Sequence, residues 1–149
     1  MYASTKTYCH EVGLSSCFRQ WRATSHCNLL HGYALSVKLV FAASELDHNN
    51  WVIDFGSLKP IKAWLESQFD HKTVVAKDDP LADLFIEMEA ENLCDIVWMD
   101  NVGCEAFAAH VAKYVHRWLL EGGQSQRVEL VSVEVREHGA NSAIWSAEV

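Results

Sequence analysis
The residues best suited to chemistry gather in His26-Cys27-Asn28-Leu29-Leu30-His31-Gly32-Tyr33, where a thiol, two imidazoles and a phenol fall within eight residues. A neighbouring imidazole lowers a thiol's pKa and favours the thiolate, a base or nucleophile, which makes Cys27 a candidate. Plain core packing is the alternative for any such thiol. Asp70-His71 forms a second group. An aspartate beside an imidazole holds its tautomer and raises its basicity, the arrangement that proton relays use. Charge compensation at a helix C-terminus is the simpler role for His71. Glu137 follows Val131, Val133 and Val135 with the same parity. A carboxylate at the end of an apolar face is costly unless it is paired or bound; otherwise the strand has ended and Glu137 is solvated. Glu105 falls in the first turn of a predicted helix, where a dipole contact alone would account for it. His110 and His116 are six residues apart on that helix, do not share a face, and are rejected as a ligand pair.

These residues need elements to position them. Ala34 to Phe41 reads as a strand, with Leu35, Val37, Leu39 and Phe41 on one face. His31 and Tyr33 share that parity, so two polar rings extend the core-facing side at one end of the strand. Residues from about Thr5 to Trp21 read as one long strand, with Gly13 and Ser15-Ser16 marking a bulge or a close backbone approach. Arg22 to His26 is the hairpin loop. Ser57 is the predicted N-cap of a first helix, with Pro60 in its first turn and Leu58, Ile61, Leu65 and Phe69 as its apolar stripe. A second helix runs from about Gly103 to Leu120 and is stopped by Gly122-Gly123. Strands follow at Arg127–Glu137 and Ala143–Glu148. Between the helices, residues 72–101 form an insertion with a short acidic helix at Leu81–Asn92 and a short strand at Ile96–Met99. The order ββααββ predicts an α+β fold: a four-stranded antiparallel sheet with two helices packed on one face.

The totals bound the rest. A chain of 149 residues, half apolar and 21% charged, reads as one domain, 1–149, with an ordinary globular composition. A net charge of −8 argues against a nucleic-acid or anionic-membrane partner. No apolar run has the length of a bilayer span, and the first residues carry no export signal, so the expected location is the cytoplasm. The five cysteines, Cys9, Cys17, Cys27, Cys94 and Cys104, are an odd number without disulfide-framework spacing and are expected to be reduced.

Together the motifs resemble the 6-pyruvoyltetrahydropterin synthase / 6-carboxytetrahydropterin synthase family, the T-fold pterin enzymes. Cys27-x3-His31-Gly32-Tyr33 is similar to the family's Cys…His-Gly-His, and Val52-Ile53-Asp54-Phe55-x2-Leu58-Lys59 to its v-x-D-F-x-x-L-K. Asp70-His71 is similar to its L-D-H, Glu105 to the end of its P-T-x-E, and Arg136-Glu137 to its v-x-E. The pieces come in the family's order and span nearly the whole chain. The resemblance implies a lyase that acts on 7,8-dihydroneopterin triphosphate or a related pterin, with bacterial relatives on the route to deazapurines such as queuosine. It implies Cys27 as the base at the side-chain carbon and Asp70 with His71 as a second proton relay. Glu137 would accept the pterin ring's amino and N–H donors with its two oxygens, and Glu105 would assist. It implies a homo-oligomer, commonly a hexamer, closed by joining sheets, with sites at subunit interfaces.

The family holds zinc with three histidines, and here only His31 matches. Tyr33 replaces one ligand, and Cys17 stands near the expected place of another. Two readings follow. Either Tyr33 donates a hydrogen bond where zinc would polarise a substrate oxygen, or a new set of His31, Cys17 and Tyr33 holds the metal. A non-catalytic or altered-chemistry pterin- or purine-binding T-fold protein that lacks the zinc site is the alternative function.

Overall fold
The computed structural model describes residues 1–148. Its strands are β1 (Tyr2–Tyr8), β2 (Leu14–Phe18), β3 (His31–Ala43), β4 (Lys72–Ala76), β5 (Ile96–Met99), β6 (Glu129–His138) and β7 (Asn141–Ser146). Its helices are α1 (Lys59–Phe69), α2 (Ala82–Ala90) and α3 (Cys104–Glu121). The fold is α+β, but the sheet has seven strands and is mixed, in place of the four antiparallel strands predicted. Its order is β5-β4-β2-β3-β6-β7, with β1 also on β3.

Two features make the difference. The predicted long first strand is broken into β1 and β2, both antiparallel to β3 along the same edge. Tyr8 lies opposite Val37 and Leu14 opposite Leu35, so residues 9–13 stand against the single residue Ser36. They escape the ladder through a 3-10 turn at His10–Val12, and Gly13 at φ +80° returns the chain to the sheet. The second feature is the insertion. Lys72–Ala76 is a strand, β4, parallel to β2, and β5 is in turn parallel to β4. The strand predicted at Ile96–Met99 and the short acidic helix before it are both present.

The core lies between one face of the sheet and α1 with α3. The apolar parity of β3 places Leu35, Val37, Leu39 and Phe41 there, all wholly buried. Ile61, Leu65 and Phe69 of α1 and Phe107, Val111, Val115 and Leu119 of α3 meet them, as their helical spacing predicts. Trp64 and Tyr114 stack between the two helices, 4.0 Å apart and nearly parallel. The other face of β4 is covered too: Val75 and Phe85 of α2 are buried outside the main core. Ser57 does not cap α1. Its hydroxyl turns back to the Asp54 carbonyl, and Asp54 caps the 3-10 turn at Phe55–Leu58 that leads into the helix. Pro60 sits in the first turn as predicted. Among the described residues no helix is long and apolar enough to cross a membrane.

A buried ion pair fastens the insertion. The Arg19 guanidinium, just past β2, donates two hydrogen bonds of 2.8 Å to the two oxygens of Asp79, just past β4. The Asp79 side chain is 1% exposed. The hydrogen bonds from Arg19 hold its carboxyl below the usual carboxylate range, and the Leu81 amide adds to the effect. A third Arg19 hydrogen bond reaches the Asn28 carbonyl, so one side chain joins β2, the insertion and the Cys27 loop.

Candidate active site
Strand alternation decides what shares a cavity. His31 and Tyr33 project to the helix-covered face, where Phe18 is the cross-strand partner of His31 and Ser16 that of Tyr33. The Phe18 ring sits 5.2 Å from the His31 imidazole and 5.0 Å from Phe107, so it links the polar rings to the core. His31 and Tyr33 meet edge to face at 5.6 Å. Gly32, between them, is fixed by space. A Cβ there would lie 2.4 Å from the Ser16 carbonyl oxygen, so β2 and β3 approach this closely only with glycine.

Around Tyr33 stand Glu137, Cys27 and Cys104. Burial and then the charges of Glu137 and Cys27 push the Tyr33 phenol above its ordinary value. Burial likewise pushes the Cys104 thiol up to about 12, and the carboxylates of Glu137 and Glu105 add to the shift. Tyr33 and Cys104 are therefore neutral donors facing the Glu137 carboxylate at neutral pH. Glu137 is half-buried at the end of β6, where the ladder to β7 slips between Arg136 and His138. That irregularity re-aims the end of the strand. The His138 ring lies 6.0 Å from Tyr33 and closes one side.

The N-terminus of α3 forms another wall. Gly103 at φ +116° starts the helix, Cys104 is its first residue, and the exposed Glu105 lies in its first turn. The helix dipole there favours the negative charge of Glu137. Cys27 is brought to the same place by the loop after β2. It lies in a 3-10 turn, its carbonyl accepts from the Gln20 amide at 3.0 Å, and the Gln20 side chain donates to the Val102 carbonyl at 3.1 Å. Gln20 thus ties the Cys27 turn to the residue that precedes Gly103.

Of the residues singled out in the sequence, Cys27, Tyr33, His31, Glu137 and Glu105 converge at this end of the sheet. Asp70 and His71 do not join them within one chain. His71 Nδ1 lies 2.6 Å from Asp70 Oδ1, and the His71 side chain is 89% exposed. His71 has φ +57°, and its amide donates to the Ser15 carbonyl. His71 borders a cavity of about 430 Å³ whose lining also includes Cys17, Thr73, Cys94 and the Gly32-Tyr33 segment of β3. Cys104 joins this site without being among the residues to which the sequence points. A signal for it existed: a cysteine directly between a glycine and a glutamate at the start of a strong helix.

The donor set does not fit a zinc ion. Cys17 pairs with Gly32 and so points to the face opposite His31 and Tyr33; its thiol contacts the Thr73 hydroxyl at 3.2 Å. The set of His31, Cys17 and Tyr33 is thus divided by the sheet, because Cys17 is one residue out of phase with them. Phe18, which does share their face, has no ligating atom. Among the described residues no three His, Cys, Asp or Glu side chains are grouped so as to hold a metal ion.

Comparison with known proteins adds the lineage. The sequence profile described as 6-pyruvoyl tetrahydropterin synthase matches residues 8–148. The 6-carboxy-5,6,7,8-tetrahydropterin synthase of Rickettsia felis is 37% identical over 54 residues, which cover 36% of this chain and 39% of that enzyme. The chain thus spans well under half the length of the first curated relatives it matches. A Wolinella succinogenes protein described as uncharacterized superposes with a TM-score of 0.85 at 19% identity, covering 99% of this chain and 98% of that one. The 6-pyruvoyl tetrahydropterin synthase of Plasmodium vivax superposes with a TM-score of 0.69 at 14% identity, covering 100% of both chains. At these identities the superpositions establish the common fold.

Proposed function
Because the chain belongs to the 6-pyruvoyl tetrahydropterin synthase family, we propose that it is a pterin lyase of the 6-carboxytetrahydropterin synthase kind. Its substrate is 7,8-dihydroneopterin triphosphate or a close relative, on a deazapurine route of the queuosine type. The observation that carries this reading is the gathering of Tyr33, Glu137 and Cys27 beside the N-terminus of α3. A carboxylate there accepts paired N–H donors from a flat ring, as few other groups can. Cys27 is the base that removes a proton from the side-chain carbon as triphosphate departs. Glu105 helps to bind the ring.

Asp70 and His71 are the second proton relay. Their exposure on the opposite side supports a site completed by a second copy of the chain, so that His71 of one subunit meets Cys27 of another. In this reading the chain is a homo-oligomer, and the family resemblance implies a hexamer. The acidic chain has no nucleic-acid or membrane partner in this reading and works in the cytoplasm.

Incubating the pure protein with 7,8-dihydroneopterin triphosphate tests it. Triphosphate should be released, and Cys27→Ala should lower the rate about 10²–10⁴-fold, the range for loss of a general base. No release, with or without added zinc, sinks the lyase reading. The failure of the zinc donors to assemble favours one second reading, a pterin-binding protein without turnover. It predicts tight pterin binding that Glu137→Ala abolishes, and no product.

A further inference from the structure
Register decides which side chains surround His31. On its face stand Phe18 directly opposite and then Tyr33 with its partner Ser16. The Phe18 ring is 5.2 Å from the imidazole and 6.2 Å from the phenol, so the β2 side chain packed against both rings has no ligating atom. His31 Nδ1 lies 2.6 Å from the Leu29 carbonyl, which leaves one ring nitrogen. One imidazole nitrogen, a benzene ring and a phenol that must lose its proton to ligate do not make a zinc set, which draws on Cys, His and carboxylate.

The same three rings suit another task. A phenol is neutral through the physiological range and presents one O–H donor. Preorganised and partly withdrawn from water, such a donor stabilises charge as it develops on a substrate oxygen. Tyr33 is held on both flanks, by Phe18 from β2 and by the His138 ring at 6.0 Å from β6. It also stands near Glu137 and Cys27, the ring anchor and the base of the pterin reading.

We propose, resting on the pterin-lyase reading, that this chain works without a resident metal: the Tyr33 hydroxyl donates the hydrogen bond that polarises the substrate's side-chain oxygen, and Phe18, His31 and His138 pack against its ring and hold it in place. Tyr33 is thereby a catalytic residue and Phe18 a positioning residue.

Metal content and turnover together test this. The protein is purified from zinc-supplemented culture, and its zinc is measured beside that of the double variant Phe18→His/Tyr33→His. The wild type should carry zinc far below one ion per chain. The double variant, with three imidazoles on one face, should approach one. Stoichiometric zinc in the wild type overturns the proposal, as does a folded double variant that stays free of zinc. In the triphosphate-release assay, a chelator should leave the wild-type rate unchanged. Tyr33→Phe should lower kcat by about 10²–10³-fold, the cost of losing one donor to a developing oxyanion, with KM little altered. An unchanged kcat in Tyr33→Phe, or a rate that depends on zinc, overturns the proposal while the lyase reading stands. Absence of wild-type turnover under every condition sinks the lyase reading instead, and the zinc measurement still decides whether this face holds a metal.

Discussion
The two halves of β3 share one alternation and do opposite things with it. From Leu35 to Phe41 the helix-facing residues are apolar and wholly buried beneath α1 and α3. At His31 and Tyr33 the same face is lined with polar rings and is only half-buried. What changes is the cover. Phe107, in the first turn of α3, reaches Phe18 and Phe69, and beyond it the roof ends at Cys104. One half of the strand is thus a floor with a roof, and the other is a floor with an opening. Stability and chemistry are separated along a single strand by where one helix begins.

That separation can be broken or sharpened by substitution. The largest effect belongs at the boundary. Phe107→Ala, removing a wholly buried ring, should cost about 3–5 kcal/mol, read as a lowered denaturant midpoint. It should also disturb Phe18, and so lower turnover in the protein that remains folded. A loss of stability without any change at the site would break the comparison.

Next is the buried pair that holds the Cys27 loop and the insertion. Asp79→Ala leaves Arg19 without its partner and should cost about 3 kcal/mol. The pH dependence follows from the depressed carboxyl. The contribution of Asp79 is complete above the unfolded carboxylate value of about 4 and is lost as pH falls through the lower folded value. The stability gap between wild type and Asp79→Asn should therefore shrink below about pH 4. A gap that stays constant there would remove Asp79 as its cause.

Glu137→Gln should weaken pterin binding about 10–100-fold, the worth of charge-assisted hydrogen bonds, and leave the denaturant midpoint nearly unchanged. Titration of pterin fluorescence reads the first and urea unfolding the second. A large loss of stability would place Glu137 among the structural residues and blur the two halves. The smallest effect is expected at His31→Gln, which should alter stability by less than about 1 kcal/mol, because the ring is only partly buried and bonds locally to the Leu29 carbonyl.

Much of this was legible in the chain. The stripes of α1 and α3 and the alternation of β3 are periodic over long stretches, and periodicity is the signal that burial writes into sequence. Lys72–Ala76 was not legible as a strand. It is short, buried on both faces and paired in parallel with distant segments, so neither alternation nor a tight turn announces it. Cys17 is one residue out of phase with His31 and Tyr33, and in a strand one residue is the whole thickness of the sheet. Cys104 is not legible as a site residue because its neighbours in space, Tyr33 and Glu137, are far from it along the chain. The separation of Asp70 and His71 from Cys27 depends on how α1 ends against β2, which no local pattern encodes.

The break between β1 and β2 has a mechanical meaning. Among the described residues β1 pairs with β3 alone, whereas β2 is bonded to β3 and β4 on either side. The detour at residues 9–13 uncouples them, so β1 can peel away without dragging Phe18 out of line with His31. In amide exchange, residues 2–8 should open as their own unit, more easily than residues 14–18. The ring cluster is, in effect, bolted to the inner part of the sheet and shielded from fraying at its margin.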